Sequence, residues 1–369
     1  MTVAATAGTH VFLVRSSLQF LLATALTADL RVQDAAPCRM LFLPDMLDPG
    51  LFTRALQGWT DSPFDRVVVM APRRLPGTAA PRRKSSSVRR DLVAELAEAR
   101  PRSLTVFNDR EDAGQAVLIA AARHFPQALR RCAEDGSLAY TAFNYRAHGT
   151  TTRWRQRLRL GRQWHDVQVL GTHPLVQRFL ALRPSLLRPE LRERVVEPIS
   201  AEALASPPLG TLAAAMCQAA GFEAQSVPAG AAVLTLSHSS YAARNPDYLA
   251  LVQACARQLA QRPEGFFVKY HPREAQEDYL GLCCGQGARQ IPRALPVECM
   301  YLMLRDRPLT VVAGMSSSLL TAGLLAPRLR CAALVHASAA GDGWAPQLLD
   351  ELRIVPLVDA VAIEAYFAA

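Results

Sequence analysis

Three short stretches of this chain combine side chains that move protons with groups that hold anions. The first is Gly265-Phe266-Phe267-Val268-Lys269-Tyr270-His271-Pro272-Arg273-Glu274. Phe266 to Lys269 reads as a short buried strand, since aromatic and β-branched residues are bounded by Pro263 and Gly265 before and Pro272 after. Pro272 donates no backbone hydrogen bond and keeps His271 out of the helical region. His271 therefore stands at the carboxyl end of a strand, the edge of an open α/β sheet where ligands bind. With Lys269 and Arg273 close by, it is suited to meet a phosphate and give it a proton. The second stretch, Gly314-Met315-Ser316-Ser317-Ser318, lies between a strand over Leu309–Val312 and a helix from Leu319. The third is Glu134-Asp135-Gly136, two adjacent carboxylates before a glycine. Asp-Gly is also a common turn pair, so this stretch alone suits either chemistry or a turn.

The elements that must position these groups alternate between strand and helix. Strands are expected over His10–Val14, Met40–Leu43, Arg66–Met70 and Ser103–Phe107, with helices over Leu18–Leu30, Leu51–Trp59 and Ala113–Phe125. Ser16-Ser17 caps the first helix, which is how α/β domains present backbone N–H groups to an anion. The alternation argues for a parallel sheet. In the second half, strands over Ala231–Leu236, Phe266–Lys269, Ala288–Ile291, Leu309–Val312, Cys331–Val335 and Ile354–Leu357 alternate with helices over Leu212–Ala220, Asp247–Gln261 and Tyr279–Cys283, with one holding Glu298, and with a short one from Ala360. Proline and charge accumulate between Leu186 and Pro208, which is read as the inter-domain linker. The expected division is an N-terminal domain over 1–190, a linker over 191–208, a C-terminal domain over 209–345 and a segment over 346–369 that packs back on the first domain.

Two basic stretches stand out. Residues 73–90 combine proline, glycine and serine with arginines and Lys84, and read as a mobile basic loop. From Arg153 to Arg162, arginines alternate with Trp154, Leu158 and Leu160. That pattern suits a membrane surface, a polyanion or a solvated helix face.

At 369 residues the chain is long enough for two α/β domains. Half the residues are hydrophobic, as in a globular protein, and 41 Lys and Arg against 32 Asp and Glu give a net charge of +9, which points to an anionic partner. The eight cysteines show no zinc spacing and no regular framework, so a reducing compartment fits them. The apolar stretch Val11–Leu30 is interrupted by Arg15, Ser16, Ser17, Gln19 and Asp29, and reads as a strand and a helix rather than a leader or a span. The expected location is cytoplasmic, with peripheral contact at the inner membrane face through 73–90 and 153–162. No helix-turn-helix, zinc or RNA-recognition motif supports a nucleic-acid partner.

The ordered set Glu134-Asp135-Gly136, His271-Pro272 and Ser316-Ser317 resembles the bacterial sialyltransferases that use CMP-sialic acid, nearest the α-2,8-polysialyltransferase and lipooligosaccharide sialyltransferase branch. The opening Ser16-Ser17-Leu18-Gln19 and the Asn108-Asp109 turn share the likeness. The resemblance implies a GT-B fold, two Rossmann-like domains facing each other across a cleft. It implies that one carboxylate of Asp135 and Glu134, with Asp135 favoured, is the general base toward an acceptor hydroxyl, which is a poor nucleophile until its proton is removed. His271 would donate to the phosphate of the leaving CMP. Ser316 and Ser317 would bind that phosphate with the helix N-terminus behind them, and Glu298 would accept hydrogen bonds from the ribose hydroxyls. Pro272, Gly314, Ser318 and Lys269 complete the expected donor site, and Ser16, Ser17, Asn108 and Asp109 the acceptor side. The expected partners are a nucleotide-sugar donor and an acidic glycan or glycolipid acceptor, with inversion at the anomeric carbon and neither metal nor cofactor. A CMP-Kdo transferase, a polymerase of the teichoic or capsule type with a CDP-linked donor, and a non-enzymatic polyanion binder are the competing readings.

Overall fold

The computed structural model describes residues 8–44, 49–70, 85–336 and 346–368. They form two compact units. The first takes the described residues up to 44 together with those from 61 to 209; the second takes those from 49 to 60 with those from 210 onward.

The first unit begins β1 (Thr9–Val14), α1 (Ser17–Gln33), β2 (Cys38–Phe42). Next in the chain is α2 (Pro49–Gly58), a helix of the second unit, and the first resumes with β3 (Arg66–Val69), α3 (Ser85–Ala99), β4 (Pro101–Val106), α4 (Asp112–His124) and β5 (Leu129–Ala133). It continues through α5 (Thr150–Leu160), β6 (Arg178–Ala181), α6 (Pro189–Arg192), β7 (Val195–Pro198) and α7 (Ala201–Leu204). Its sheet is parallel, in the order β3-β2-β1-β4-β5-β6-β7. The order reverses between β1 and β4, and the carboxyl ends of strands at such a switch point are where open α/β sheets bind ligands. Ser16 and Asn108 sit just beyond those two strands.

The chain crosses into the second unit within α8 (Pro207–Ala219) and continues β8 (Ala232–Thr235), α9 (Ser239–Ala242), α10 (Pro246–Leu259), β9 (Phe266–Lys269), α11 (Leu282–Gln286) and β10 (Arg289–Gln290). It ends α12 (Val297–Met303), β11 (Leu309–Ala313), α13 (Ser317–Leu325), β12 (Leu329–Leu334), α14 (Pro346–Glu351), β13 (Ile354–Leu357) and α15 (Ala360–Ala368). This sheet is also parallel, ordered β10-β9-β8-β11-β12-β13, with its switch point between β8 and β11. Leu234, Tyr248, Val268, Tyr270 and Val312 are all but fully buried in one core. Side chains of this kind each contribute about 1.5–3 kcal/mol through lost contact with water.

Several expectations need correction. The proline-rich stretch 191–208 is not a linker: it contains β7, the edge strand of the first sheet, and α7. Pro198 is tolerated there because it closes an edge strand, and Pro207 because it opens a helix. The segment from 346 belongs to the second unit, with α15 against α10. The basic loop lies outside the described residues up to 84, but from Ser85 onward it is the first turns of α3, with Val88, Leu92 and Leu96 buried at helical spacing.

Candidate active site

In the first unit the acidic pair stands just past β5, and the structure gives its two members different surroundings. Glu134 is 2% exposed. One carboxylate oxygen accepts from the Leu182 backbone N–H at 2.6 Å and from the Tyr140 hydroxyl. Burial pushes its pKa up to about 7 against those hydrogen bonds. It fastens the β6 exit to the turn after β5. Asp135 is only partly buried. Its Oδ2 accepts from Gln19 Nε2 at 2.9 Å. Burial raises its pKa to about 6, with the Gln19 hydrogen bond and the Arg15 charge working the other way. Gly136 adopts φ +73°, a left-handed conformation that glycine accepts at little cost and that turns the chain sharply after the pair.

Gln19 itself is held. Its Oε1 accepts from the Arg15 N–H at 2.8 Å, which leaves its amide NH₂ aimed at Asp135. Ser16 caps α1, accepting from the Gln19 N–H at 3.2 Å, and Ser17 is the first helical residue. Ser16 and Ser17 are thus the N-terminus of the helix that carries Gln19, as their expected capping role required.

Asn108 and Asp109 serve different purposes. Asn108 Oδ1 accepts from the N–H groups of Arg110 and Glu111, both at 3.1 Å, and holds the turn that leads into α4. Its carbonyl oxygen would lie 1.9 Å from any Cβ added at Gly114, so the close approach of this turn to α4 requires glycine. Asp109 is fully buried, accepting from Gly171 N at 2.9 Å and His173 N at 2.8 Å. It organises a loop and does not face solvent. Beside α4 lies a cavity of about 500 Å³ lined by, among others, Arg15, Asn108, Arg110, Tyr145, His148 and Trp164. The Arg110 guanidinium lies 4.8 Å from the Tyr145 ring centre. Glu111 and Asp112 also line it, and Arg15 pairs with Glu111, so the cavity presents charges of both signs beside aromatic rings and suits a polar ligand.

In the second unit the expected donor residues gather at the carboxyl edge of the sheet. Thr235, Lys269 and Ala313 are in register as the last residues of β8, β9 and β11. Tyr270 turns into the core, where its hydroxyl bonds to Asp278, and His271, two residues past the end of β9, is only partly buried. The Arg273 N–H donates to His271 Nδ1 at 3.2 Å, so the neutral ring carries its proton on Nε2. Burial, Arg273, His238 and Lys269 hold its pKa down to about 4. His238, at the β8 exit, stands edge-to-face against His271 with ring centres 5.4 Å apart. Glu274 ties the two exits together, accepting from the Ser239 N–H at 2.8 Å and the Ser239 hydroxyl at 2.7 Å.

Beyond β11, Gly314 lies where a Cβ would approach the Tyr248 ring at 3.1 Å and Ser237 Oγ at 3.3 Å. The helix starts earlier than expected, at Ser317 rather than Leu319, because Ser316 is its N-cap and accepts from the Ser318 N–H. Ser316 and Ser317 are partly exposed and Ser318 is buried. The N-terminus of this nine-residue helix and its dipole give an anion a place to bind. Glu298 is in the first turn of α12 and 7% exposed; burial raises its pKa, while its own backbone N–H, the Lys269 charge and a Thr321 hydrogen bond lower it. Lys269 is 5% exposed and points inward, with Nζ donating to the Arg293 carbonyl at 2.7 Å. It positions the Pro292–Pro296 turn and offsets the Glu298 charge, rather than reaching a ligand. Burial lowers its pKa to about 8.

Gln19 and His238 belong with these groups although the sequence assigns neither a role, Gln19 entering the resemblance only within Ser16-Ser17-Leu18-Gln19. Gln19 has no local signal, since its partner is 116 residues away. His238 could have been found by the reasoning applied to His271, as a histidine a few residues past the end of a strand. Among the described residues no group of three or more His, Cys, Asp or Glu side chains could hold a metal ion.

No family model matches the sequence, and no curated protein matches it significantly. Solved structures do match its fold. The α/β-galactoside α-2,3-sialyltransferase of Photobacterium phosphoreum superposes with a TM-score of 0.56 at 9% identity, over 94% of this chain and 98% of that one. The GT-B domain of a Photobacterium damselae sialyltransferase gives 0.55 at 12% identity, over 95% and 100%. The UDP-GlcNAc 2-epimerase of Neisseria meningitidis gives 0.56 at 10% identity, over 98% and 90%. At such identities the likeness is one of fold. It establishes a GT-B type α/β architecture and bears out the resemblance in fold to bacterial sialyltransferases.

Proposed function

We propose that the protein is an inverting glycosyltransferase that moves sialic acid from CMP-sialic acid to a hydroxyl of an acidic glycan or glycolipid. The observation that carries this reading is the separation of roles within the acidic pair. Glu134 is consumed by Tyr140 and Leu182, while Asp135 is partly exposed, oriented by Gln19, and titrates near 6. A carboxylate with that pKa is ionised at neutral pH yet basic enough to accept a proton in a transition state.

In this reading the acceptor hydroxyl gives its proton to Asp135 as its oxygen bonds to the anomeric carbon. The bond from that carbon to the phosphate oxygen breaks, and CMP leaves with the electron pair. His271 offers Nε2–H to the departing phosphate. The ring is neutral in the free protein, and a phosphate beside it raises its pKa and draws it toward the imidazolium that stabilises the leaving group. Ser316, Ser317 and the N-terminus of α13 take the remaining phosphate oxygens. Glu298 takes the ribose hydroxyls, and the polar, aromatic cavity beside α4 takes the acceptor. Charge is stabilised by these groups alone, so the scheme uses no cofactor and no metal.

A thermal-shift and calorimetry series with CMP, CDP, UDP and GDP tests this. Stabilisation by CMP above the others, lost in His271→Ala, supports the donor assignment. Transfer assays with CMP-sialic acid and CMP-Kdo then separate the two sugars. A response to CDP alone favours a CDP-linked donor. A response to UDP alone overturns the reading and points toward UDP-sugar chemistry on the same fold.

A further inference from the structure

The eleven residues of α5 include none that is buried. The helix carries Arg153, Arg155, Arg157 and Arg159 and no acidic residue. Two large apolar side chains, Trp154 and Leu158, are 64% and 67% exposed. Four residues apart, they share one face. The opposite face meets the protein: Gln156 and Leu160 are its half-buried positions, and Gln156 Nε2 donates to Asp112 Oδ1 of α4 at 2.7 Å. With 100° of rotation per residue, the apolar pair lies about 160° around the helix from that docked pair. Trp154 and Leu158 therefore form a ridge aimed away from the fold, with Arg155 and Arg159 along one flank and Arg153 and Arg157 along the other. Arg153 pairs with Asp166 at 3.1 Å, and no described carboxylate pairs with the other three.

An outward apolar ridge between two rows of arginines has one well-matched environment. We infer that α5 docks the protein on the surface of a bilayer containing anionic phospholipid, with Trp154 and Leu158 entering the boundary between headgroups and acyl chains and Arg155 and Arg157 meeting lipid phosphates. A soluble polyanion would satisfy the arginines but leave Leu158 in water, whereas a bilayer receives both kinds of side chain. Tryptophan suits that depth because its ring is amphipathic, and the chain's +9 charge draws it to an anionic surface. Among the described residues no helix is long and apolar enough to cross a membrane, so this contact is peripheral. It stands independently of the sugar-transfer reading.

The test is co-sedimentation of the full chain with phosphatidylcholine vesicles, with and without phosphatidylglycerol. Binding to the anionic vesicles alone is expected, weakening as salt is raised. Trp154→Ala/Leu158→Ala and, separately, Arg155→Gln/Arg157→Gln should each lower vesicle affinity by about tenfold or more while leaving the thermal melt unchanged, since these side chains are exposed. Tryptophan fluorescence should be quenched by acyl-brominated lipid, and the quenching should fall in Trp154→Phe. Unchanged vesicle binding in Trp154→Ala/Leu158→Ala overturns the inference. So does a dimer in light scattering that this variant dissociates, which would make the ridge an interface between copies. Binding to short DNA but not to vesicles would overturn it in favour of a polyanion.

Discussion

Gln19 and Asp135, 116 residues apart in the chain, meet at 2.9 Å between Nε2 and Oδ2. The Arg15 N–H fixes the other end of the Gln19 amide, so the donor that meets the carboxylate has little freedom. The hydrogen bond lowers a pKa that burial raises. Gln19 therefore acts on the proposed base as a positioning residue, by holding its orientation and by setting the pH at which it is ionised.

Gln19→Ala should lower kcat by about tenfold with little change in the Michaelis constant for the donor. Loss of the hydrogen bond should also move the acid limb of the pH–rate profile to higher pH. A structural role alone would reduce active protein without moving that limb, so an unshifted profile sinks the assignment.

Asp135→Asn should separate activity from stability. Transfer should fall by about 10² to 10⁴-fold. The folded carboxyl titrates near 6 against an ordinary 3.8, so its contribution to stability is full below the lower value and is lost as pH rises through the higher. On the alkaline side the variant should be more stable than wild type by about 1–2 kcal/mol, an amount reduced by the residue's partial exposure. Urea melts across this pH range measure the difference, and equal stability at every pH contradicts it.

For Glu134 the expectation is reversed. Glu134→Ala leaves the Leu182 N–H and the Tyr140 hydroxyl without their acceptor, which should cost about 1–3 kcal/mol of stability. Glu134→Gln keeps an acceptor for Leu182 and should retain most of the activity. If Glu134→Gln were as inactive as Asp135→Asn, the division of roles within the pair would be wrong.

Much of the fold was legible because apolar runs bounded by glycine and proline mark buried parallel strands, as at Phe266–Lys269. The strands that escaped were those with charge inside them. β5 carries Arg130, which donates to the Leu175 carbonyl, and Arg131, which pairs with Glu197 at 3.5 Å; no local pattern announces such partners. β7 was hidden by prolines that an edge strand tolerates. At the site, residues at strand ends were readable from punctuation alone. Whether a side chain there faces outward is not readable, and so Lys269 is expected in the donor site and Asp109 on the acceptor side although both are buried.

The donor site permits a test by subtraction. CMP and cytidine differ by the phosphate, so the ratio of their affinities isolates the groups that meet it. His271→Ala and Ser316→Ala should each shrink that ratio by about tenfold, the scale of one charge-assisted hydrogen bond. Ser316→Ala should also cost about 1 kcal/mol of stability, because Ser316 caps α13. Glu298→Gln should weaken CMP and cytidine by the same factor, since both carry the ribose. The three ratios come from calorimetric titration of each variant with both ligands. A Glu298→Gln ratio that moves while the His271→Ala ratio does not would place the phosphate at α12 instead, and would exchange the roles given to these two residues.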